Sequence, residues 1–333
     1  MEYTRAEAKS WARRFYRGLE STILPSFTPD SLSLDEAGIR HDIRELIKHG
    51  FFSTVLITSA GTTQEEDKLF IQWCLDEAQG KIGIASELRY YSLQDNIEMA
   101  RYAEAMGCDA LLLSYPPNFH PQKPEEVYDY TQAICRATNR AVELFPSFKY
   151  DFPFPGIFPA PLLNQIADIE NVVSMKIGIL DWAWVDECFR LFGDKILISY
   201  PFDDAWPIFI RKYGMQWSGC APWQVFQTPD NPREILLFNL IQEGKMDEAM
   251  QLYWTIDPLR KFFIHSVQTI VPLTGLYNFQ QWKYMEGLVG MTGGEMRMPK
   301  ISFFARDKEL TRNAMLASGL RLIEYYQHNH LKT

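Results

Sequence analysis

Residues 171–180 read NVVSMKIGIL, an apolar run of strand length with one lysine, Lys176, near its centre. A near-continuous apolar run with several β-branched residues is typical of a parallel strand covered on both faces. Because side chains alternate along a strand, Lys176 shares one face with Val172, Ser174 and Gly178. This is the less crowded face of the strand, and its small residues leave room for a ligand. We therefore expect Lys176 to point into the protein, with Gly178 beside the space it faces.

A lysine in such a position has two interpretations. It can extend its ammonium group to water or pair with a carboxylate, as most lysines do. Alternatively, burial removes water from the amine and favours its neutral form, which makes it a nucleophile able to form a Schiff base near neutral pH. The rest of the chain decides between them, because lysine is almost never fully buried unless it is paired or has a chemical role.

The bulk properties of the chain exclude several classes of protein. The 333 residues are 47% apolar and 14% aromatic, which excludes a disordered chain. A net charge of −9 and a pI near 5.3 argue against a nucleic-acid partner, whose binding surface should be basic. No apolar run approaches the roughly 18 residues that cross a bilayer. We expect a small-molecule partner and neither nucleic acid nor membrane.

The cysteines and histidines give no sign of a metal site or a disulfide framework. Five cysteines are scattered without a CxxC pair, and six histidines show no HExxH spacing. We interpret the cysteines as reduced structural thiols of a cytoplasmic protein. We therefore predict no metal ion.

Short apolar runs recur along the first two thirds of the chain, with amphipathic helical patterns between them. Eight runs read as strands, at residues 21–27, 52–58, 81–87, 109–115, 141–146, 172–178, 195–201 and 215–221. Eight alternating β and α units predict an α/β fold with a parallel sheet closed into a (β/α)8 TIM barrel. From about residue 229 the pattern is helical without strands. We predict a barrel with an N-terminal helix over 1–228 and a helical extension packed on it over 229–333.

A barrel of this kind gives Lys176 a clear position. The inward faces of the strands fill the barrel, and the chemistry of TIM-barrel proteins lies at the C-terminal ends of the strands. Lys176 lies late on the sixth predicted strand. It therefore occupies a position suited to a nucleophile.

With Lys176 on strand six and Gly61-Thr62-Thr63 after strand two, the sequence resembles the dihydrodipicolinate synthase and N-acetylneuraminate lyase superfamily. These are class I aldolases that bind pyruvate as a Schiff base, and the likeness covers nearly the whole chain. It implies that Lys176 forms the Schiff base, that no other cofactor is needed, and that Thr62 or Thr63 binds the pyruvate carboxylate. Hydroxyls and N–H groups near a helix N-terminus suit an anion, although an ordinary N-cap has the same residues. The resemblance also implies a homo-oligomer, commonly a tetramer.

The chain departs from the superfamily pattern at strand five. The superfamily usually has a proton-relaying tyrosine there, whereas this chain reads VELFPSF, with Phe145 or its neighbours at the position. The segment SFKYDFPFPG also lacks the arginine with which the synthases bind a second carboxylate. This chain is therefore not expected to be the enzyme of lysine biosynthesis.

A narrower resemblance is to the hydratase-aldolases that cleave benzylidenepyruvates. It is carried by FKYDFPFP at 148–155, WSG at 217–219 and TGLYNFQQWK at 274–283. It implies that Trp217 and Asn278 contact the substrate, with Tyr277 close by. That subgroup's Tyr-x-Asn on strand five is absent. The proton relay must then come from another group, for which Tyr150, Tyr200, Ser218 and a water held by Thr63 are candidates.

Three functions remain open on this basis. The first is an aldolase or hydratase-aldolase that cleaves an aryl or bulky unsaturated 2-oxo acid to pyruvate and an aldehyde. The second is another condensing or dehydrating enzyme of the superfamily, acting on a small 2-oxo acid. The third is a binding or regulatory protein that keeps the lysine without the proton relay.

Overall fold

The computed structural model describes residues 3–146, 158–178, 181–274 and 277–323. Within these residues, eight parallel strands line a central barrel. They are β1 Gly18–Ile23, β2 Ser53–Leu56, β3 Gly83–Leu88, β4 Ala110–Ser114, β5 Ala141–Phe145, β6 Val172–Lys176, β7 Leu197–Ser199 and β8 Trp217–Ser218.

The strands stand in the order β7-β6-β5-β4-β3-β2-β1-β8, so neighbours in the chain are neighbours in the barrel and β8 returns to β1. Gly18 lies opposite Trp217 where β1 and β8 pair. Between β7 and β8 a side chain makes the connection. The Ser199 hydroxyl accepts a hydrogen bond from the Gly219 N–H at 2.9 Å and donates to the Gly219 carbonyl at 3.3 Å. The predicted (β/α)8 barrel is confirmed.

Helices alternate with the strands and then continue alone. In the described part of the chain, one α-helix precedes β1, seven lie between successive strands, and four follow β8. They are α1 Ala8–Phe15, α2 Glu36–His49, α3 Gln64–Ala78, α4 Leu93–Met106, α5 Pro124–Ala137, α6 Ala160–Ile166, α7 Trp182–Phe192, α8 Trp206–Tyr213, α9 Arg233–Gln242, α10 Met246–Thr274, α11 Phe279–Leu288 and α12 Ala305–Ala317. Among the helices in the described ranges, none has both the length and the apolar character required to span a bilayer.

Local sequence explains where several helices begin and end. Asp35 caps α2 by accepting a hydrogen bond from the Gly38 N–H at 3.0 Å, and Ser92 caps α4 in the same way. Helix α2 ends at Gly50, whose φ of 84° is a left-handed conformation that glycine adopts without strain. These caps set the loop lengths that return the chain to the next strand.

The strand boundaries agree with the sequence pattern except at the first strand. The apolar run at 21–27 predicted a strand centred about Leu24, whereas β1 begins at Gly18 and ends at Ile23, before Pro25. Proline has no N–H for a strand ladder, so pairing stops ahead of it. The shift moves Glu20 into the middle of a barrel strand, which matters for the site.

A buried charged cluster ties α11 to the barrel. Lys283 donates to the Ser26 hydroxyl at 2.9 Å, and its Nζ lies 3.4 Å from Asp42 Oδ2 and 3.1 Å from Glu286 Oε2. The side chains of Lys283, Asp42 and Glu286 are at most 1% exposed. The Gln224 amide joins the cluster by donating to Glu286 and to the carbonyl of Thr22 on β1. The cluster thus connects the C-terminal helices to a barrel strand.

We expect Lys283→Met to destabilise the fold by about 3 to 5 kcal/mol, because it leaves two buried carboxyl groups without their cation. The free energy of unfolding, measured by urea denaturation, checks this. Lys48→Met is the matched control. Lys48 pairs with Glu45 at 2.7 Å on the surface, with 60% of its side chain exposed, and its loss should cost about 1 kcal/mol or less. Equal small losses in both variants would contradict the assigned role of the cluster.

Candidate active site

Lys176 is the last residue of β6, and its amine lies inside the barrel. On the two neighbouring strands, Glu143 and Leu197 lie opposite Ser174, and Ser199 lies opposite Lys176 itself. The inner face of β6 therefore carries Ser174 and Lys176, as the alternation predicted. Lys176 is only 7% exposed.

Two groups contact the Lys176 amine from different sides of the barrel. Its Nζ lies 3.5 Å from the Sγ of Cys220, just after β8, and 4.1 Å from the centre of the Phe145 ring at the end of β5. An ammonium over a ring face is attracted by the ring's quadrupole. Among the described residues, no carboxylate oxygen lies within 4.0 Å of this Nζ. The amine is thus buried without an ion pair at contact distance.

Cys220 is a neutral thiol in this setting. Burial raises its pKa to about 12, although the nearby Lys176 charge acts in the opposite direction. A thiol is a weak donor and acceptor, so it contacts the amine without holding it as a carboxylate would. The cysteine interpreted from sequence as structural is therefore part of the site, while remaining a buried free thiol.

Two buried carboxyl groups lie inside the barrel near this amine. Glu20 on β1 and Glu143 on β5 are both 0% exposed, and they face each other. The Tyr16 hydroxyl donates to Glu143 Oε1 at 2.6 Å. Burial raises the pKa of Glu143 to about 7, and the Tyr16 hydrogen bond and Lys176 charge reduce the effect. Burial, and next the charge of Glu143, raise the pKa of Glu20 well above its usual range.

The chain makes room for these acids at Gly219. A Cβ atom on this residue would lie 2.0 Å from the Trp217 ring and 2.3 Å from Glu20 Oε2. Only glycine fits here, because the indole and the carboxyl group occupy the space of a side chain. Trp217 in turn packs edge-on against Tyr16, with ring centres 5.0 Å apart. The predicted aryl-binding tryptophan thus lies within the packed interior, opposite Gly18 at the start of β1.

The Gly61-Thr62-Thr63 segment follows β2, as predicted. Thr63 is the N-cap of α3 and forms a capping box with Glu66. Thr62 Oγ1 lies 2.5 Å from Asp67 Oδ1 and 2.9 Å from the Thr58 carbonyl. The Thr62 hydroxyl donates to Asp67. Burial raises the pKa of Asp67 to about 7, and the hydrogen bonds from Thr62 and Tyr90 act in the opposite direction. The N-cap interpretation describes Thr63, and the carboxylate-binding role of both threonines stays a prediction.

Residues from the C-terminal part of the chain reach the same end of the barrel. Burial raises the pKa of Tyr277, and the ionisable groups that act on it include Cys220, Arg89 and Glu87. Arg89 directly follows β3, and its Nε is buried without a hydrogen-bond partner in the described ranges. Asn278 is the N-cap of α11, accepting from the Gln281 N–H at 3.1 Å. Tyr277 therefore lies near the site, and Asn278 has a structural role beside it.

The other predicted site residues are not all brought together. Ser218 lies opposite Leu19. Its hydroxyl accepts a hydrogen bond from the Trp206 indole N–H and donates one to the Tyr200 carbonyl, so it faces the helices rather than Lys176. Tyr200 is fully buried against Phe209 of α8. Gly178 is buried two residues after β6. Tyr150 lies outside the described residues, so its predicted role as the relay stays a prediction.

These features define a class of protein: a (β/α)8 barrel that presents a lysine amine inside the C-terminal end of its sixth strand. The model of the dihydrodipicolinate synthetase family matches residues 16–285. The chain therefore belongs to that family, within the superfamily of class I aldolases.

Individual relatives are distant but span the chain. The 4-hydroxy-tetrahydrodipicolinate synthase of Bradyrhizobium diazoefficiens is 24% identical, over 93% of this chain and 99% of that protein. Its counterpart from Methanopyrus kandleri is 27% identical, over 91% and 96%. Among solved structures, dihydrodipicolinate synthase from Thermotoga maritima has a TM-score of 0.76 at 18% identity, over 92% and 99%. N-acetylneuraminate lyase from Fusobacterium nucleatum has 0.72 at 19%, over 90% and 98%. The structural likeness concerns the fold.

Sequence reasoning missed the two interior glutamates. Glu20 lies in the apolar segment GLESTIL and Glu143 in AVELF. Each is a charged residue within a strand-like run, which is the signal that identified Lys176. Applying that criterion to acidic residues as well would have found Glu143, whereas Glu20 lies one residue before the run at 21–27 that predicted the first strand.

We expect Glu143→Gln to reduce the loss of stability as the pH rises from about 5 to 8. The pKa of Glu143 is raised from 4.5 to about 7, so the folded state holds a proton that the unfolded state releases. Stability therefore falls as the pH rises through this window, by up to about 3 kcal/mol. Urea denaturation at several pH values measures it.

Glu66→Gln is the control for this prediction. Its hydrogen bond from Arg297 lowers the pKa of Glu66, so its contribution is complete above the unfolded value. The substitution should lower the free energy of unfolding by the same amount at each pH in this window, so the slope of stability against pH stays that of the wild type. A wild-type slope in Glu143→Gln would show that this carboxyl group does not hold the proton.

Proposed function

We propose that this protein is a Schiff-base-forming aldolase in which Lys176 attacks the ketone of a 2-oxo acid. The observation that carries the proposal is the buried Lys176 amine, which contacts Cys220 and Phe145 and has no carboxylate at contact distance among the described residues. An amine without an ion pair can lose its proton and act as a nucleophile. Membership of a class I aldolase family supports the same chemistry.

The proposed reaction is hydration followed by retro-aldol cleavage of an aryl or bulky unsaturated 2-oxo acid. The amine attacks the ketone carbon and water leaves, which gives an iminium. A water molecule adds to the conjugated double bond, the C3–C4 bond then breaks, and its electrons move to the iminium to form an enamine. Protonation of the enamine and hydrolysis release pyruvate and restore the lysine. The net change is substrate plus water to pyruvate plus an aldehyde.

The surroundings of the amine support an aryl substrate. The Phe145 ring faces the amine and carries no hydroxyl, so this side of the site is apolar. Near Tyr277 lie the rings of Phe279 and Trp282, whose centres are 6.1 Å and 5.2 Å from that of Tyr277. Arg89 supplies a cation at the same end of the barrel, and a substrate carboxylate can satisfy its unpartnered Nε. We propose this group as an anion site alongside Thr62 and Thr63.

We further propose that the protein acts as a cytoplasmic homo-oligomer, with residues 1–228 forming the barrel unit and 229–333 the helical extension. Large apolar side chains in the C-terminal part support an assembly surface. Trp254 is 61% exposed and Phe304 is 68% exposed. Covering such side chains with a second copy would remove apolar area from water.

We expect pyruvate and borohydride to add one reduced pyruvyl group to Lys176, because borohydride reduces the imine to a stable amine. Intact-protein and peptide mass spectrometry detect the product and locate it. Lys176→Met should not be labelled, whereas Lys195→Met, which removes a surface lysine paired with Asp168, should be labelled as the wild type is. An unlabelled wild type would rule out the imine and favour a binding or regulatory protein.

We expect a benzylidenepyruvate to lose its ultraviolet enone absorbance on incubation with the protein, with release of pyruvate and an aromatic aldehyde. Phe145→Ala should raise KM for this substrate more than for an unsaturated aliphatic 2-oxo acid, because it removes a ring face from the site. Labelling by pyruvate without release from any aryl substrate would favour a condensing or dehydrating enzyme of the same superfamily.

A further inference from the structure

The two interior glutamates accept fewer hydrogen bonds than buried carboxyl groups usually do. Within the described ranges, both oxygens of Glu20 and the Oε2 of Glu143 are buried without a well-formed hydrogen bond. Glu143 Oε1 accepts one from the Tyr16 hydroxyl at 2.6 Å. Buried carboxyl oxygens normally have partners, so unpaired ones require an explanation. A barrel core built for packing alone would place apolar side chains at these positions.

The two carboxyl groups cannot both be charged at rest. They face one another in a space that excludes water, and no cation lies within 4.0 Å of either among the described residues. Two like charges in such a site force one group to keep a proton. The pair therefore holds one proton that neither glutamate owns alone.

The groups that surround this shared proton are few and can be named. Tyr16, which precedes β1, donates a hydrogen bond to Glu143. The Ser53 hydroxyl of β2 lies near Glu20 and lowers its pKa. The charges of Glu20 and Glu143 raise the pKa of the Cys220 thiol, just after β8, and the charge of Lys176 on β6 lowers the pKa of Glu143. Tyr3 acts on Tyr16. Lys176 is the one basic group in this set.

The pair lies close below the amine along the barrel axis. Glu143 is opposite Ser174, two residues before Lys176 on the same inner face. Glu20 Oε2 lies 2.3 Å from the position of a Gly219 Cβ, and the next residue, Cys220, contacts the amine. The flexible lysine side chain can therefore approach the carboxyl groups by rotating about its own torsions.

We propose that Glu20 and Glu143 share one proton that they exchange with the amine of Lys176 during imine formation. This inference rests on the proposed function and names its missing proton relay. At rest the pair holds this proton and one negative charge beside a neutral Lys176 amine. After the amine has added to the ketone, the pair gives its proton to the carbinolamine, and it regains one from the water that later hydrolyses the imine. The C–O bond breaks, water leaves, and an iminium remains.

The charges in this cycle balance within the barrel. Beside the neutral amine, the pair carries one negative charge. Beside the iminium, which carries one positive charge, the pair carries two negative charges. Each state thus keeps the net charge of amine and pair at −1, which limits the cost of separating charge in a dry interior. Tyr16 is a positioning residue in this arrangement, because its hydrogen bond favours the ionised form of Glu143.

The test is the rate of borohydride trapping of pyruvate on Lys176, measured by mass spectrometry across a range of pH. In the wild type we expect an inflection near neutral pH. Glu143→Gln and Glu20→Gln should each trap about 100-fold more slowly and lose the wild-type inflection, since each variant keeps only one of the two carboxyl groups between which the proton is shared. Glu143→Asp should recover part of the rate. Tyr16→Phe should retain the inflection at a higher pH, because it removes a hydrogen bond to the charged form.

Glu234→Gln is the matched control. Glu234 on α9 is also fully buried, and both of its oxygens lack a hydrogen-bond partner in the described ranges. It should trap at the wild-type rate with the wild-type inflection. Circular dichroism verifies that each variant is folded, and Tyr16→Phe with Glu143→Asp carries the test if a glutamine variant is not.

The outcomes separate this inference from the proposed function. Wild-type trapping, together with an unchanged rate and pH profile in Glu143→Gln, Glu20→Gln and Tyr16→Phe, would overturn the shared proton and leave the aldolase intact. A wild type that never traps pyruvate would overturn the imine itself, and the proton exchange with it.

Discussion

One constraint governs this structure: an amine and two carboxyl groups share a barrel interior from which water is excluded. Lys176 is 7% exposed, and Glu20 and Glu143 are not exposed at all. Taking such groups out of water costs several kcal/mol for each ion. The barrel meets this cost by placing the three groups within reach of one another, where one proton can satisfy two acids and one charge can offset another.

Several features of the barrel follow from that arrangement. Gly219 has no side chain because the Trp217 ring and the Glu20 carboxyl group occupy the space. Ser199 uses its hydroxyl to connect the last two strands beside the amine. Trp217 packs edge-on against Tyr16 inside the barrel. The same residues thus build the core and set the electrostatic environment of Lys176.

The C-terminal helices matter because they complete the end of the barrel where the amine lies. Lys283 joins α11 to Asp42 of α2 through a buried ion cluster, and Gln224 extends the cluster to β1. This connection brings Tyr277 close enough to Cys220 for each group to affect the ionisation of the other. A barrel without these helices would leave that end of the site without its aromatic residues.

The sequence alone was enough to predict the barrel and the inward direction of Lys176. Alternating apolar runs and amphipathic helices repeat eight times, and a lysine late in the sixth run has an unambiguous direction once the strands close. Both signals are local, because strand alternation and helical periodicity depend on residues that are near in the chain. The GTT segment was placed after strand two for the same reason.

What only the tertiary structure decided is which distant side chains meet inside the barrel. Glu20, Glu143 and Lys176 lie on strands one, five and six, and Cys220 comes from the end of strand eight. Their proximity depends on strand register and on a shift of β1 away from its apolar run, which no local pattern encodes. Strand pairing likewise decides which face of β8 is the inner one, and it places Trp217 in the core and the Ser218 hydroxyl against Trp206 and Tyr200.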